Sequence, residues 1–165
     1  MSEMTVRTFR AGDAAVVSKL MIAAFRSFLK DKFTDSLQRY LTADSLARGS
    51  RHRSEDAETA AFVAVDGARV VGYIKVSASA TGLGSLEVVG VDPEYFGRRV
   101  GDLLMKRAVR FWRGWKQRKI STCVSSHNRK ALLYYIRNGF VPEGFRPDHF
   151  IEGVHEIPLG RFLTY

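Results

Sequence analysis

The chain has 165 residues, of which 45% are hydrophobic, and a formal net charge of +9. This length predicts a single domain over residues 1–165 with its own hydrophobic core. No apolar run approaches the roughly 20 residues that span a bilayer, and the N-terminal stretch lacks the apolar segment of a signal peptide. We therefore expect a cytoplasmic protein with no membrane partner. A single cysteine, Cys123, excludes an internal disulfide and a cysteine-cluster metal site, and we expect no metal.

The first third of the chain predicts one strand and two helices. Weak alternation over Thr5–Phe9 indicates a short strand. Asp13 is a candidate N-cap for a helix that ends at about Lys30, because apolar residues recur there at helical spacing. A shorter helix is predicted over Asp35–Ala47. The polar stretch Arg48–Glu58 that follows predicts an exposed loop.

The middle of the chain predicts strands and then a long helix. Ala60–Val65 and Arg69–Ser77 are predicted strands, joined by an Asp-Gly hairpin turn. A central strand, Leu86–Val91, is ended by Pro93, which fixes φ and donates no hydrogen bond. A basic turn containing glycine, Phe96–Gly101, then leads into the helix.

The long helix is amphipathic, and the turn before it resembles a phosphate site on physical grounds. Free backbone N–H groups and the positive end of the helix dipole point into such a turn. Arg98 and Arg99 add donors suited to phosphate. An ordinary strand-to-helix connection is the alternative. The predicted apolar face consists of Val100, Leu104, Ala108, Phe111, Trp112 and Trp115, and the opposite, basic face of Arg99, Lys106, Arg110 and Arg113.

The last third of the chain predicts one more helix among strands. Lys119–Ser125 is a predicted strand, and Arg129–Asn138 is a predicted helix ended by Gly139. Strands at Phe140–Phe145 and Val154–Leu163, joined by a loop, complete the chain. The order of elements predicts a mixed α/β sheet with helices on both faces.

The stretch after the central strand resembles the acyl-CoA-binding motif of the GNAT superfamily of N-acetyltransferases. That motif usually reads V-x-P-x-x-(Q/R)-x-x-G-x-(G/A), and Val91, Pro93 and Gly101 match it. Phe96 stands where the family usually has Gln or Arg. Arg99 stands where it usually has the first Gly, although we expect Arg99 to be compatible with a helical backbone.

A second motif strengthens the resemblance. The family pattern N-x-x-A-x-x-(L/x)-Y-x-x-x-G-F is matched in register by Asn128, Ala131, Tyr135, Gly139 and Phe140. The C-terminal tail is similar to GNAT branches that acetylate ribosomal-protein N-termini or small amines. Together the resemblance covers roughly residues 60 to 163.

The resemblance implies the GNAT fold, in which a mixed, mostly antiparallel central sheet is flanked by helices on both faces. It also implies acetyl-CoA as co-substrate and an amine acceptor, either a protein N-terminus or lysine or a small amine. The backbone near Val89 and Val91 would hydrogen-bond the pantetheine arm. Asn128 would also bond the pantetheine, unless it caps the helix instead. The turn would hold the pyrophosphate through Gly97, Arg98, Arg99, Val100, Gly101 and Asp102.

Two residues are candidates for proton transfer. Glu87 is the acid on the central strand, where family members often carry Glu, and alternation would put it on the face opposite Leu86 and Val88. A salt-bridged or solvated Glu87 is the alternative, since some members bind amines that are already neutral. Tyr135 matches the family tyrosine that protonates the CoA thiolate, with a core aromatic as its alternative. Tyr134 lies about a quarter-turn away on the helix.

The basic charge is concentrated in one segment. Between Phe96 and Lys119 there are nine Lys or Arg and a single acid, so charge on the helix would steer an anionic ligand toward the turn. Two other functions stay open: a catalytically degenerate acyl-CoA-binding or regulatory domain, and a basic protein associated with nucleic acid, which we favour less. We expect a monomer or a homodimer.

Overall fold

The computed structural model describes residues 4–163, which form a nine-stranded sheet and five α-helices. The strands are β1 Met4–Thr8, β2 His52–Arg53, β3 Ala57–Asp66, β4 Arg69–Ser79, β5 Leu83–Val91, β6 Lys119–Ser125, β7 Val141–Pro142, β8 Arg146–Ile151 and β9 Val154–Phe162. The helices are α1 Ala14–Leu29, α2 Asp35–Tyr40, α3 Ala43–Gly49, α4 Val100–Gly114 and α5 Arg129–Arg137.

The sheet is mixed and mostly antiparallel, as the resemblance implied. Its main order is β1-β3-β4-β5-β6-β9-β7, with β2 added to β3 and β8 added to β9. Among the described strands, β5 and β6 form the parallel pair, whereas the other pairs are antiparallel. Parallel neighbours need a crossover, and α4 supplies it between β5 and β6.

Helices cover both faces of the sheet, which confirms the predicted architecture. On one face Leu104 and Trp112 of α4 and Tyr135 of α5 are buried against the sheet. On the other face, α1 and the short helices pack around Met21 and Tyr73. Apolar residues at helical spacing place α1 and α4 on these faces, because each helix must bury its apolar stripe.

Several N-terminal predictions need correction. The helix predicted over Asp35–Ala47 is two helices, because α2 ends at Tyr40 and Thr42 then caps α3 by accepting the Ser45 amide. The stretch predicted as an exposed loop contains β2, which pairs with β3. Asp13 does not cap α1 with its side chain, and instead pairs with Arg7 at 2.7 Å.

The C-terminal strands also differ from the prediction. The strand predicted over Phe140–Phe145 shrinks to β7, and the predicted loop before Val154 contains β8. All of β8 except Ile151 is exposed, so it lacks the alternation that identifies a half-buried strand. The β4–β5 hairpin is longer than predicted and takes up most of the expected connection between the two strands.

A β-bulge in β5 changes which face its side chains occupy. Lys75 pairs with Val88 whereas Val76 pairs with Leu86, so Glu87 is the extra residue. Leu86 packs in the core beneath α4, and Val88 packs in the core beneath α1. The alternation that placed these two residues on a common face was therefore wrong, because a bulge shifts the period by one residue.

Candidate active site

The central strands separate part-way along their length. Strands β5 and β6 pair over Leu83–Ser85 and Lys119–Ser121, and one residue further the Thr122 hydroxyl donates to the Leu86 carbonyl at 2.9 Å. In the described part of the chain no pairing between them continues past this bond, so their facing backbone groups are left for a ligand. The cleft that opens here has a volume of about 1680 Å³.

The backbone predicted to hold a pantetheine arm lines this cleft. Val89 and Val91 pair with β4 on one edge, and on the other edge they border the opening. Their side chains pack against the core beneath α4. The structure therefore brings both residues to the cleft through their backbones, as an extended ligand requires.

The predicted phosphate turn lies at one end of the same cleft. Among residues 4–163, no hydrogen-bond acceptor is found for the amides of Gly97, Arg99, Val100 and Gly101. These N–H groups precede or begin α4, where the helix dipole favours an anion. The Asp102 amide differs, because it donates to the Arg99 carbonyl at 3.1 Å.

Arg99 has a left-handed backbone conformation. Its φ is 61° and its ψ is 17°, so the expected compatibility with a helical backbone is wrong. Glycine adopts this region without a Cβ clash, which gives a physical reason for the glycine usual at this position in the motif. The Arg99 side chain is 86% exposed and contacts Asp102 at 3.5 Å.

The other basic groups near the turn are not where the sequence suggested. Arg98 is absent from the cleft lining, and its guanidinium lies 4.8 Å from the centre of the Tyr95 ring. Lys130 of α5, which the sequence analysis did not single out, lines the cleft and lies 5.6 Å from the Phe96 ring centre. A cation from α5 thus stands beside the position where the family motif has Gln or Arg.

Tyr134 and Asn128 have structural roles on α5. The Tyr134 hydroxyl donates to the Gly101 carbonyl at 2.7 Å and so holds the start of α4 against α5. Asn128 caps α5, because its Oδ1 accepts the Ala131 amide at 3.1 Å. The capping alternative for Asn128 is therefore the one observed, and its Nδ2 group is left to donate to a ligand.

Tyr135 lies where β5 and β6 separate. It is 4% exposed and borders the cleft beside Thr122, whose hydrogen bond links the two strands. Burial raises the pKa of the Tyr135 phenol well above its usual range, and the hydrogen bond with Thr122 offsets part of this effect. The phenol therefore keeps its proton at neutral pH and can act as a donor.

Glu87 points into the cleft but has a partner. Its carboxylate contacts the Lys75 ammonium at 2.8 Å, with the Glu87 side chain 29% exposed. The salt-bridged alternative is therefore the one observed. Any proton transfer to Glu87 would weaken this ion pair.

A second carboxylate, Glu156, was missed by the sequence analysis. It lies on β9, is 8% exposed and lines the cleft. Burial raises the pKa of its carboxyl to about 7. The available signal was an acid inside a predicted strand whose neighbours Val154, Ile157 and Leu159 are apolar, but only the pairing of β9 with β6 brings that acid to the cleft.

The opposite end of the cleft has an apolar wall. It is formed where α1 ends and α2 begins, together with the β8–β9 hairpin, which lies close to Lys32 at Gly153. Phe150 is 71% exposed there. The apolar residues of the wall are Phe25, Phe28, Leu29, Leu37, Tyr40, Phe150 and Ile151, and the same segments add the polar residues Ser27, Lys30, Asp31, Lys32, Thr34 and Ser36 to the lining.

A family model identifies the family of this chain. The model of the acetyltransferase (GNAT) domain matches residues 57–142. The chain belongs to the GNAT family. GNAT members are acyltransferases that use acetyl-CoA, and the matched residues include β5, the predicted phosphate turn, α4 and all of α5. A search of curated proteins finds no match.

Solved structures show the same GNAT fold along nearly the whole chain. PaiA N-acetyltransferase from Thermoplasma acidophilum, in complex with coenzyme A, is 15% identical, with a TM-score of 0.80 over 98% of this chain and 99% of that one. Ard1 from Thermoplasma volcanium is 21% identical, with a TM-score of 0.75 over 98% of this chain and 99% of that one. The ribosomal-protein-S18-alanine N-acetyltransferase from Escherichia coli is 14% identical, with a TM-score of 0.69 over 99% of this chain and 96% of that one. At these identities the likeness concerns the fold.

Within residues 4–163 of the GNAT chain, no group of three or more His, Cys, Asp or Glu is placed to hold a metal ion. No helix of this described part is both long enough and apolar enough to cross a membrane.

Proposed function

We propose that this protein transfers the acetyl group of acetyl-CoA to a primary amine. The observation that carries the proposal is the cleft itself, because one opening joins unpaired strand backbone to a turn of unpaired amides. An extended arm that ends in a pyrophosphate fits this combination. The other end of the cleft leaves room for an acceptor beside the apolar wall.

Acetyl-CoA would be held by backbone more than by side chains. Val89 and Val91 offer N–H and C=O groups to the pantetheine arm, and the Nδ2 group of Asn128 adds a donor. The pyrophosphate meets the amides of residues 97 and 99–101, with Arg99 and Lys130 as nearby cations. When bound, acetyl-CoA supplies an activated acetyl group, so the chain's own residues need only position it and move protons.

Proton transfer is assigned to two predicted residues. Tyr135 donates its proton to the thiolate that leaves when the C–S bond breaks, because its phenol stays protonated and borders the point where the strands separate. Glu87 takes a proton from the acceptor nitrogen through water. Its ion pair with Lys75 holds its carboxylate at the cleft, where a general base has to lie.

The acceptor is a primary amine: a protein N-terminus, a lysine side chain or a small amine. Two solved relatives are named a ribosomal-protein-S18-alanine N-acetyltransferase and PaiA N-acetyltransferase, and transfer to nitrogen, common to both names, supports an amine acceptor. A second candidate function is a catalytically degenerate acyl-CoA-binding domain. Arg99 favours it, because a side chain in the left-handed conformation replaces the usual glycine of the turn.

Calorimetry with acetyl-CoA, combined with a turnover assay, tests the proposal. The acceptor probes are a tetrapeptide that begins with alanine, a lysine peptide with a blocked N-terminus, and spermidine. We expect acetyl-CoA to bind and at least one probe to be acetylated. Tyr135→Phe should slow turnover about 10- to 100-fold, as loss of a positioned proton donor does, while the Kd for acetyl-CoA stays within about twofold.

Tyr73→Phe is the matched control for this substitution. Tyr73 is another buried tyrosine, but it lies on the opposite face of the sheet, where its hydroxyl bonds Ser50 at 3.0 Å. The Tyr73→Phe substitution should lower the free energy of unfolding by about 1 kcal/mol and leave turnover unchanged. Binding of acetyl-CoA without acetylation of any probe would favour the degenerate domain, and no binding to folded protein would refute both functions.

A further inference from the structure

Glu156 is a largely buried residue whose carboxylate faces the candidate active site without a protein partner. Within residues 4–163 its side chain has no hydrogen bond or ion pair, and the residue is 8% exposed. No fully buried side-chain oxygen lacks a partner there, so the carboxylate oxygens reach the surface of the cleft. Buried carboxylates are normally paired, and an unpaired one at a cleft is a candidate for work on a ligand. Since its side chain lines the cleft, a ligand there can supply the missing partner.

The position of Glu156 places it close to the predicted proton donor. It pairs with Ser125 of β6 on one side and with Arg146 of β8 on the other. Burial is the main cause of the raised pKa of both the Tyr135 phenol and the Cys123 thiol, and the charge of nearby Glu156 adds to both shifts. Glu156 therefore borders the site from β9, whereas Glu87 borders it from β5.

We propose that Glu156 takes the first proton from the acceptor ammonium and so produces the neutral amine that attacks the thioester. This inference rests on the proposed function and adds a catalytic residue to it. An ammonium is the complement of an unpaired, buried carboxylate, since it supplies charge and three hydrogen-bond donors. Glu156 therefore also serves to bind the acceptor in its protonated form.

The step conserves protons and electrons. The acceptor ammonium gives one proton to the Glu156 carboxylate, and the nitrogen lone pair then forms the C–N bond while the C–S bond breaks. The sulfur takes a proton from Tyr135, and the nitrogen sheds its second proton through water toward Glu87. Glu87 passes this proton on through water to Tyr135, which regains its neutral phenol, and Glu156 releases its own proton to solvent, so that one proton is lost overall.

The environment of Glu156 matches this role better than that of Glu87. A base is most effective when its pKa lies near the working pH, and burial brings the pKa of Glu156 to about 7. Glu87 is held by the Lys75 ammonium at 2.8 Å. The other titratable or charged groups that face Glu156 are Cys123 from β6, Tyr135 from α5 and Arg146 from β8.

The test compares kcat/KM against pH for wild type and Glu156→Gln, with whichever of the three amine probes the wild type acetylates fastest. We expect a loss of at least about 100-fold near pH 7. The loss should shrink toward pH 10, because the acceptor then deprotonates in solution without help. The Kd for acetyl-CoA should stay within about twofold, which separates this effect from a damaged donor site.

Glu143→Gln is the matched control. Glu143 also lines the cleft near β9, but its carboxylate is already paired with Lys119 at 2.6 Å, so the pH profile should keep its wild-type shape. An unchanged profile in Glu156→Gln, or an equal loss at every pH, would overturn the inference and leave the proposed function standing. A wild type that acetylates none of the probes would overturn both.

Discussion

Arg99 holds a strained backbone at the site where the pyrophosphate is proposed to bind. A side chain in the left-handed region costs about 1–2 kcal/mol relative to the right-handed helix, because Cβ approaches the following carbonyl oxygen. We expect Arg99→Gly to raise the free energy of unfolding by about 1 kcal/mol, net of the added flexibility of the unfolded chain. The same substitution removes an exposed cation and should weaken acetyl-CoA binding by a few-fold.

Urea unfolding and calorimetry measure these two effects separately, and Arg99→Ala provides the control. Alanine loses the same charge but keeps the Cβ, so its affinity should fall as in the glycine variant without the gain in stability. A glycine variant no more stable than the alanine variant would show that the turn tolerates Arg99 without strain. Equal affinity in both variants and the wild type would show that Arg99 does not contact the pyrophosphate.

The parallel contact between β5 and β6 depends on a glycine at the point where the two strands still pair. A Cβ at Gly84 would lie 2.7 Å from Ile120 and 2.9 Å from Trp112, both fully buried. Gly84→Ala should therefore lower the free energy of unfolding by about 1–3 kcal/mol, the usual range for overpacking. Chemical denaturation measures this loss of stability. The added methyl group should also push β5 and β6 apart before the point where they separate in the wild type, which weakens acetyl-CoA binding.

A glycine-to-alanine substitution at the end of α4 should change the free energy of unfolding in the opposite direction. Gly114 has nothing within 4 Å of its added Cβ and belongs to the helix. Because alanine is the better helix former, Gly114→Ala should raise the free energy of unfolding by up to about 1 kcal/mol. A loss of stability in both variants would mean that crowding at Gly84 is not what the first variant reports.

Helices and strands with a clear hydrophobic periodicity in the sequence were predicted well. Strand β6 has the predicted bounds, and α4 and α5 lie where the apolar spacing and the two motifs put them. The features that the sequence did not predict depend on partners distant in the chain. The bulge at Glu87 is a property of the pairing with β4, and exposed β8 becomes a strand only because β9 is beside it.

The candidate site divides in the same way. Val89, Val91 and Tyr135 were predicted from the family resemblance, and the structure brings them to one cleft. Lys130 and Glu156 carry no motif, and they join the cleft because α5 and β9 pack beside the separated strands. The packing of α5 and β9 beside β5 and β6 leaves no periodic pattern in the sequence, so it could not be predicted from the sequence alone.

At the scale of the whole molecule, the net charge of +9 acts on binding kinetics. Lys106, Arg110 and Arg113 of α4 are exposed, while Arg107 packs over the Phe62 ring at 3.9 Å. Exposed like charges steer an anion over distances comparable to the Debye length, about 10 Å at 0.1 M salt. Raising salt from about 0.05 to 0.5 M should lower the association rate of acetyl-CoA about tenfold, with a smaller change in dissociation, as stopped-flow measurements can check.

Replacing Lys106, Arg110 and Arg113 together by Gln separates steering from contact, since none of them lines the cleft. The triple variant should associate more slowly at low salt and match the wild type at high salt, with an unchanged dissociation rate. If the basic face instead bound nucleic acid as its main role, the triple variant would lose affinity for a short DNA duplex with a reduced salt slope and keep its acetyl-CoA kinetics. The two hypotheses thus predict opposite results from one set of protein samples, and the cleft favours steering.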